Sequence, residues 1–195
     1  MLMVEELQLI LLGKPQIRLD GAPVTGFTYN KALALLAYLA VTKRPHSRES
    51  LSGLLWGEMP DTAAKANLRK ILSVLREIAA SNIEIGRQEV SFNRDSTYWL
   101  DTEIFESMPQ APTPTSITPA ETQDRDVKLL DDAVQLYKGD FLEGFYVRDA
   151  PAFEEWVLPE RERLRQRILQ ALYRLAAYYT DRGHYARGIE YTTRL

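Results

Sequence analysis

The chain has 195 residues, enough for one or two domains, and its 45% hydrophobic and 26% charged content is ordinary for a globular protein. It has no cysteine, which excludes disulfides and thiolate metal sites, and a net charge of −3, which argues against indiscriminate coating of nucleic acid. No apolar run approaches the roughly 18 residues of a membrane helix, and the start of the chain lacks the layout of a secretory signal.

From the N-terminus, Leu7 to Leu12 form a short apolar run closed by Gly13–Pro15. Ile17 and Leu19 then alternate with polar neighbours, and Asp20–Gly21 is a strong hairpin signal, so a small antiparallel sheet is expected. Asn30 to Val41 reads as a helix apolar nearly all round and therefore deeply buried. Ser47 is a good N-cap for a second helix, Arg48 to Trp56, with Gly57 as its stop. Pro60, Asp61 and Thr62 restart the chain, with Asp61 or Thr62 as the cap of a third helix that runs to Ile78.

That third helix has two different sides. Leu68, Ile71, Leu72, Leu75 and Ile78 share one face by their spacing. Thr62, Ala66, Arg69, Lys70, Ser73 and Arg76 fall on the other, which is basic and hydrogen-bonding, with one small residue permitting close approach. A helix buried on one side and cationic on the other, after a short helix and a tight connection, suits the major groove of DNA. An ordinary solvated helix looks similar in isolation, so its surroundings decide the reading.

After this helix, Ile83 to Ile85, a turn at Gly86–Arg87–Gln88, and Val90 to Phe92 read as a hairpin, with a third extended piece at Tyr98 to Leu100. Sheet, three helices and hairpin follow one another in the order of a winged helix-turn-helix with an N-terminal sheet. Charge follows the same outline. Residues 27–80 hold eight Lys and Arg against four Asp and Glu, whereas residues 1–108 hold twelve against thirteen.

Residues 109–123 change character: Pro109, Pro112, Pro114 and Pro119 alternate with Thr and Ser, the composition of a linker. Beyond it the pattern is helical. Val127, Leu130, Val134 and Tyr137 form one stripe, and Pro151 opens another carrying Phe153, Trp156 and Val157. Pro159 is expected to break that helix and start a new one ending near Arg182. Leu172, Leu175–Ala176, Tyr179, Gly183, Tyr185 and Gly188 have the spacing of the front of a tetratricopeptide repeat. One repeat needs neighbours to bury its face, so a longer polypeptide or a covering partner is expected. The fold class expected is therefore an α+β winged helix-turn-helix domain over residues 1–108, a Pro/Thr-rich linker over 109–123, and an all-α tetratricopeptide-like domain over 124–195.

These pieces resemble a known family. LLGKPQIRLDGAPV, KALALLAYLAV, SRESLSGLLWGE, ANLRKILSVLREI and YWLDTEIFE are similar to the winged-helix domain of the Streptomyces antibiotic regulatory protein type, related to that of OmpR-like response regulators. LLDDAVQLYKGDFLEGF and FEEWVLPERERLRQRILQALYRLAAYY resemble the bacterial transcriptional activator domain that follows in that family. The sequence departs at Val74, where relatives often carry Arg or Lys. The resemblance implies a bacterial, cytoplasmic, nucleoid-associated activator that binds direct repeats in double-stranded DNA, typically as a homodimer, and contacts RNA polymerase.

The DNA-binding set expected is Thr62, Lys65, Asn67, Arg69, Lys70, Ser73 and Arg76 on the helix, with Arg87, Gln88 and Arg94 in and near the wing. Arg69 and Lys70 reach base edges, Thr62 and the helix N-terminus suit a phosphate, Ser73 and Arg76 contact the backbone, and Lys65 and Asn67 flank the stripe. Lys43, Arg44 and Arg48 are candidates for backbone contact or for plain solvation. The alternate arginines 161, 163, 165 and 167 read as a solvated surface. No nucleophile–base set, phosphate loop or metal-ligand spacing is visible, so neither an enzyme nor a cofactor is expected, and no membrane partner. The competing reading is a protein-interaction scaffold built on helical repeats, with a winged helix that binds no DNA.

Overall fold

The computed structural model describes residues 6–24, 30–108 and 120–194. Strand β1 (Leu7–Ile10) turns back into β2 (Gln16–Leu19) and β3 (Ala22–Pro23). Asp20 and Gly21 take φ of 50° and 77°, the mirror-image turn whose twist matches that of paired strands. Leu7 faces Leu19 and Leu9 faces Ile17 across the ladder, which puts Leu7, Leu9 and Ile17 into the core.

Three helices follow, α1 (Asn30–Thr42), α2 (Arg48–Trp56) and α3 (Asp61–Ile78). α1 is buried without interruption from Ala34 to Ala40, and the other elements pack around it. Ser47 caps α2 as its chemistry suggests, its Oγ accepting from Ser50 N–H at 3.0 Å. The side-chain cap expected at α3 does not form. Pro60 holds the N-cap position and its carbonyl accepts from the Ala63 and Ala64 N–H groups at 2.9 and 3.0 Å. Asp61 is already the first helical residue, and its carboxylate reaches forward to Lys65 at 2.5 Å.

Next come β5 (Ile83–Ile85) and β6 (Glu89–Phe92), paired with Ile83 opposite Phe92. β7 (Tyr98–Leu100) does not join this hairpin. It lies parallel to β1, with Leu7 opposite Tyr98, completing a sheet in the order β3-β2-β1-β7. The third strand of the hairpin sheet is β4 (His46–Ser47), which pairs with β6 immediately before α2. The buried Asn82 holds the departing chain, its Nδ2 donating to Ser96 Oγ at 2.8 Å and Thr97 O at 3.1 Å.

The second half is helical: α4 (Asp101–Glu106), α5 (Ala120–Leu136), α6 (Pro151–Asp181) and α7 (Tyr185–Thr193). Most of the Pro/Thr-rich linker, residues 109–119, lies outside the described residues, and residues 120–123 form the first turn of α5. The break expected at Pro159 is absent, because α6 runs unbroken for 31 residues. Pro159 and Leu158 are exposed, so the carbonyl of exposed Glu155, which loses its helical donor, remains solvated. α7 folds back on α6, with the Tyr179 and Tyr191 rings stacked at 5.7 Å. Leu172, Leu175, Ala176, Tyr179 and Gly188 are buried as the repeat spacing requires, while Tyr185 is exposed.

The two halves share one hydrophobic core. Leu12 bridges Phe141, Gly13 N–H donates to Asp140 O at 3.0 Å, and Leu142 N–H donates to Leu11 O at 2.8 Å. Gly13 sits at φ 111°, and a Cβ there would approach Lys138 Cβ to 3.3 Å, so neither the conformation nor the space favours a side chain. The Tyr38 and Trp156 rings meet edge to face at 4.8 Å. Asp101 is 1% exposed, and its Oδ2 accepts from both Leu11 and Leu12 N–H at 2.7 Å. Burial pushes its carboxyl up to about 6, against the downward pull of those backbone bonds. Burial would also raise Glu106, but hydrogen bonds from Lys43 and Arg163 outweigh it and hold that carboxyl below the usual range.

Arg161 and Arg167 are therefore not part of a solvated surface, and Arg163, though exposed, is ion-paired. Arg161 donates to Phe141 O at 3.0 Å and Leu142 O at 3.3 Å, Arg163 pairs with Glu106 and Glu160, and Arg167 donates to Glu106 O at 2.7 Å. Arg165 remains exposed.

Candidate nucleic-acid interface

α2, a four-residue connection and α3 form the helix-turn-helix, tied at the turn by Met59 N–H to Trp56 O at 2.9 Å. α3 buries Ala64, Leu68, Ile71, Leu72 and Leu75, with Ile78 half-buried at its end. Its opposite side is open: Thr62, Arg69, Lys70, Ser73 and Arg76 are exposed and Ala66 is half-buried. From Thr62 to Arg76 the stripe extends about 21 Å at 1.5 Å per residue, long enough to lie along a major groove about 12 Å wide. Among the described residues Arg69, Lys70 and Arg76 make no ion pair, so their charge is not neutralised within the chain. Pro60 as N-cap leaves the Asp61 and Thr62 N–H groups without helical acceptors at the positive end of the dipole.

The flanking residues differ. Lys65 is exposed but held by Asp61, whose hydrogen bond, followed by its charge, raises the Lys65 ammonium above its ordinary value. Asn67 is half-buried and its Nδ2 contacts only Met59 Sδ, at 3.4 Å. Val74 is half-buried and packs against the core, so the departure from the relatives' basic residue falls at the margin of the open stripe.

Arg87 and Gln88 are exposed at the tip of the β5–β6 hairpin, where Gly86 N–H donates to Glu89 O at 2.9 Å. Arg94 is not brought to them. It lies past the far end of β6, where its guanidinium pairs with Glu103 and sits 5.9 Å from the Tyr98 ring centre.

Sequence reasoning missed what fixes the wing. Arg48, the first residue of α2, donates from Nε and one terminal nitrogen to Gly86 O at 3.1 and 3.0 Å, and its backbone N–H donates to Gln88 O at 2.8 Å. One side chain thus clamps the hairpin turn to the start of the helix-turn-helix. Behind the clamp, His46 is buried against Tyr38, at 4.6 Å between rings, and lies 2.7 Å from Thr42 Oγ1. Burial, and then the charge of Arg44, lower the His46 imidazole below its ordinary value. No group of three or more His, Cys, Asp or Glu among the described residues is placed to hold a metal, and none of their helices is long and apolar enough to cross a membrane.

Comparison with known proteins adds three findings. Residues 100–195 match the bacterial transcriptional activator domain family, a match that begins ahead of the linker and includes α4. The structure of Mycobacterium tuberculosis EmbR in complex with a low-affinity phosphopeptide superposes with a TM-score of 0.64 at 20% identity, over 90% of this chain and 48% of that one. This chain therefore spans about half the length of that protein, and the likeness at this identity is one of fold. No curated protein matches the sequence. Residues 100–195 therefore carry a bacterial transcriptional activator domain, and a winged-helix-like α+β region precedes it.

Proposed function

We propose that the chain is a sequence-specific DNA-binding transcriptional activator. α3 enters the major groove with Arg69 and Lys70 toward base edges and Thr62, Ser73 and Arg76 on phosphates, flanked by Lys65 and Asn67. Arg87 and Gln88 at the wing tip reach the adjacent minor groove. Residues 1–108 act as the reader, and residues 124–195 present the surface that contacts RNA polymerase when homodimers occupy direct repeats. The observation that carries this reading is the exposed, unpaired cationic stripe of α3 beside a clamped wing.

Selection of bound duplexes from a random pool, at several salt concentrations, tests it. The expected outcome is a repeat-containing site with salt-sensitive affinity. Arg69→Ala costs about 1–3 kcal/mol and relaxes preference at one position, while Arg76→Ala lowers the salt slope by about one with preference intact. An unchanged affinity and preference in Arg69→Ala would remove this assignment of the α3 face.

A further inference from the structure

Beside α3 lies a cavity of about 510 Å³ whose walls come from both halves of the molecule. Lys31 of α1, Trp56 of α2 and Asn67 and Lys70 of α3 face Tyr146 and Arg148 of the loop before α6. The volume falls in the range of about 300–1,000 Å³ typical of small-molecule sites.

Its electrostatics are lopsided. Among the described residues three cationic side chains line it and no carboxylate does. Lys31 Nζ donates to Leu55 O at 2.5 Å and to Asp149 O at 3.4 Å, and stands 5.1 Å from the Trp56 ring centre. All of these partners are neutral, so the charge is oriented without being cancelled. Burial lowers the Lys31 ammonium from its ordinary value more than the nearby Asp149 charge restores it, as expected for a desolvated cation short of a counter-ion. Arg148 touches the Asp149 carboxylate only at 3.6 Å, with the two side chains 90% and 68% exposed, an arrangement of little energetic weight. Lys70 has no ion pair among the described residues.

The remaining lining groups narrow the ligand. Tyr146 is 63% exposed and presents a ring that is largely uncovered, and the Asn67 amide has only a weak sulfur contact. A site with three cations in its lining, an open aromatic face and a spare amide recognises a planar ring bearing negative charge. A phosphodiester backbone would use the cations and leave the ring idle.

We propose that this cavity binds a small aromatic anion, a ring carrying a carboxylate, sulfonate or phosphate, and that the occupied cavity withdraws Asn67 and Lys70 from DNA. The second half of this statement rests on the DNA-binding reading of α3, and the first does not. Ligand recognition at the junction would then set operator affinity directly, through two side chains shared by both sites.

The test titrates the full chain with 1-naphthoate by calorimetry without DNA, and with acetate and 1-naphthalenemethanol as the anion without a ring and the ring without an anion. The expected result is saturable binding of 1-naphthoate alone, weakened about tenfold or more, a loss of about 1.4 kcal/mol, in Arg148→Glu and in Tyr146→Ala. Operator affinity is then measured with and without 1-naphthoate. Saturating ligand is expected to lower it in the wild type and not in Arg148→Glu, which binds DNA normally when no ligand is present. Absence of saturable naphthoate binding, or equal binding of all three compounds, overturns the ligand site. Loss of DNA affinity in ligand-free Arg148→Glu overturns it in favour of a DNA-contacting groove. A chain that binds naphthoate but no DNA overturns the competition and the DNA reading while leaving the ligand site standing.

Discussion

Along the seam between the two halves, charge is spent internally. Asp101 accepts two backbone N–H groups, Glu106 collects Lys43 and Arg163, and Arg161 holds two carbonyls of the loop before α6. On the outer face of α3, Arg69, Lys70 and Arg76 stand exposed without an ion pair among the described residues. A buried charge such as that of Asp101 is tolerated only when hydrogen-bonded or paired, and the half-buried Glu106 is held by two cations, so the seam carboxylates serve the fold. Exposed cations cost the isolated protein little and remain available to a polyanion. The shared core also means that the N-terminal and helical halves form one body, in which Tyr38 of α1 packs on Trp156 of α6.

The largest effect should come from opening the seam. Phe153 is fully buried beside Trp156 and Phe145, and Phe153→Ala should cost about 3–5 kcal/mol, read by chemical denaturation. Because the core is continuous, far-UV dichroism and tryptophan fluorescence should lose signal together in one transition. Arg69→Ala should stay within about 0.5 kcal/mol of the wild type in the same assay. Two separate transitions, with only the helical half shifted, would show the halves to be independent and break the contrast.

Asp101 sharpens it next, through pH. Its folded carboxyl titrates near 6, above the roughly 3.9 of an unfolded aspartate. The folded state therefore binds the proton more tightly, and the stability it contributes is present at low pH and lost as pH rises from about 4 to about 6. The size is about 2–3 kcal/mol, since each unit is worth about 1.4 kcal/mol. Asp101→Asn removes the titration, so the difference between variant and wild-type unfolding free energies should change across that window and be flat above it. A constant difference from pH 4 to 8 would mean that the carboxyl is not carrying an ionisation cost at the seam.

The two regions were not equally legible. α3 declares itself because helical periodicity is local: eighteen consecutive residues state both its inner face and its open stripe. The seam depends on residues far apart in sequence. Tyr98 to Leu100 reads as extended, but nothing in three residues says that the strand pairs with β1 rather than with the hairpin, a choice associated with Asn82 and with Asp101 reaching back to Leu11 and Leu12. The alternate arginines of α6 look like a solvated surface until Glu106 and the Phe141–Leu142 carbonyls are placed against them. Pro159 marks a break in the pattern, yet on an exposed face the helix absorbs it. The proposed aromatic-anion cavity draws on residues 31, 56, 67, 70 and 146–148, a juxtaposition that only the fold creates.

Arg48 carries the smallest effect and tests whether the two regions meet in one residue. It is cationic and opens the helix that precedes α3, so it passes for a DNA contact, yet its guanidinium is committed to Gly86 O. Arg48→Ala should cost about 1 kcal/mol of stability, the net worth of hydrogen bonds of this kind, and should weaken operator binding by loosening the wing. Arg48→Lys separates the two roles, because it keeps the charge but loses the two-pronged geometry. If the clamp is what matters, Lys should behave like Ala in operator affinity, with the salt dependence of both matching the wild type. Were Lys to restore affinity fully, or Ala to reduce the salt slope by about one, Arg48 would be contacting phosphate and would belong with Ser73 and Arg76.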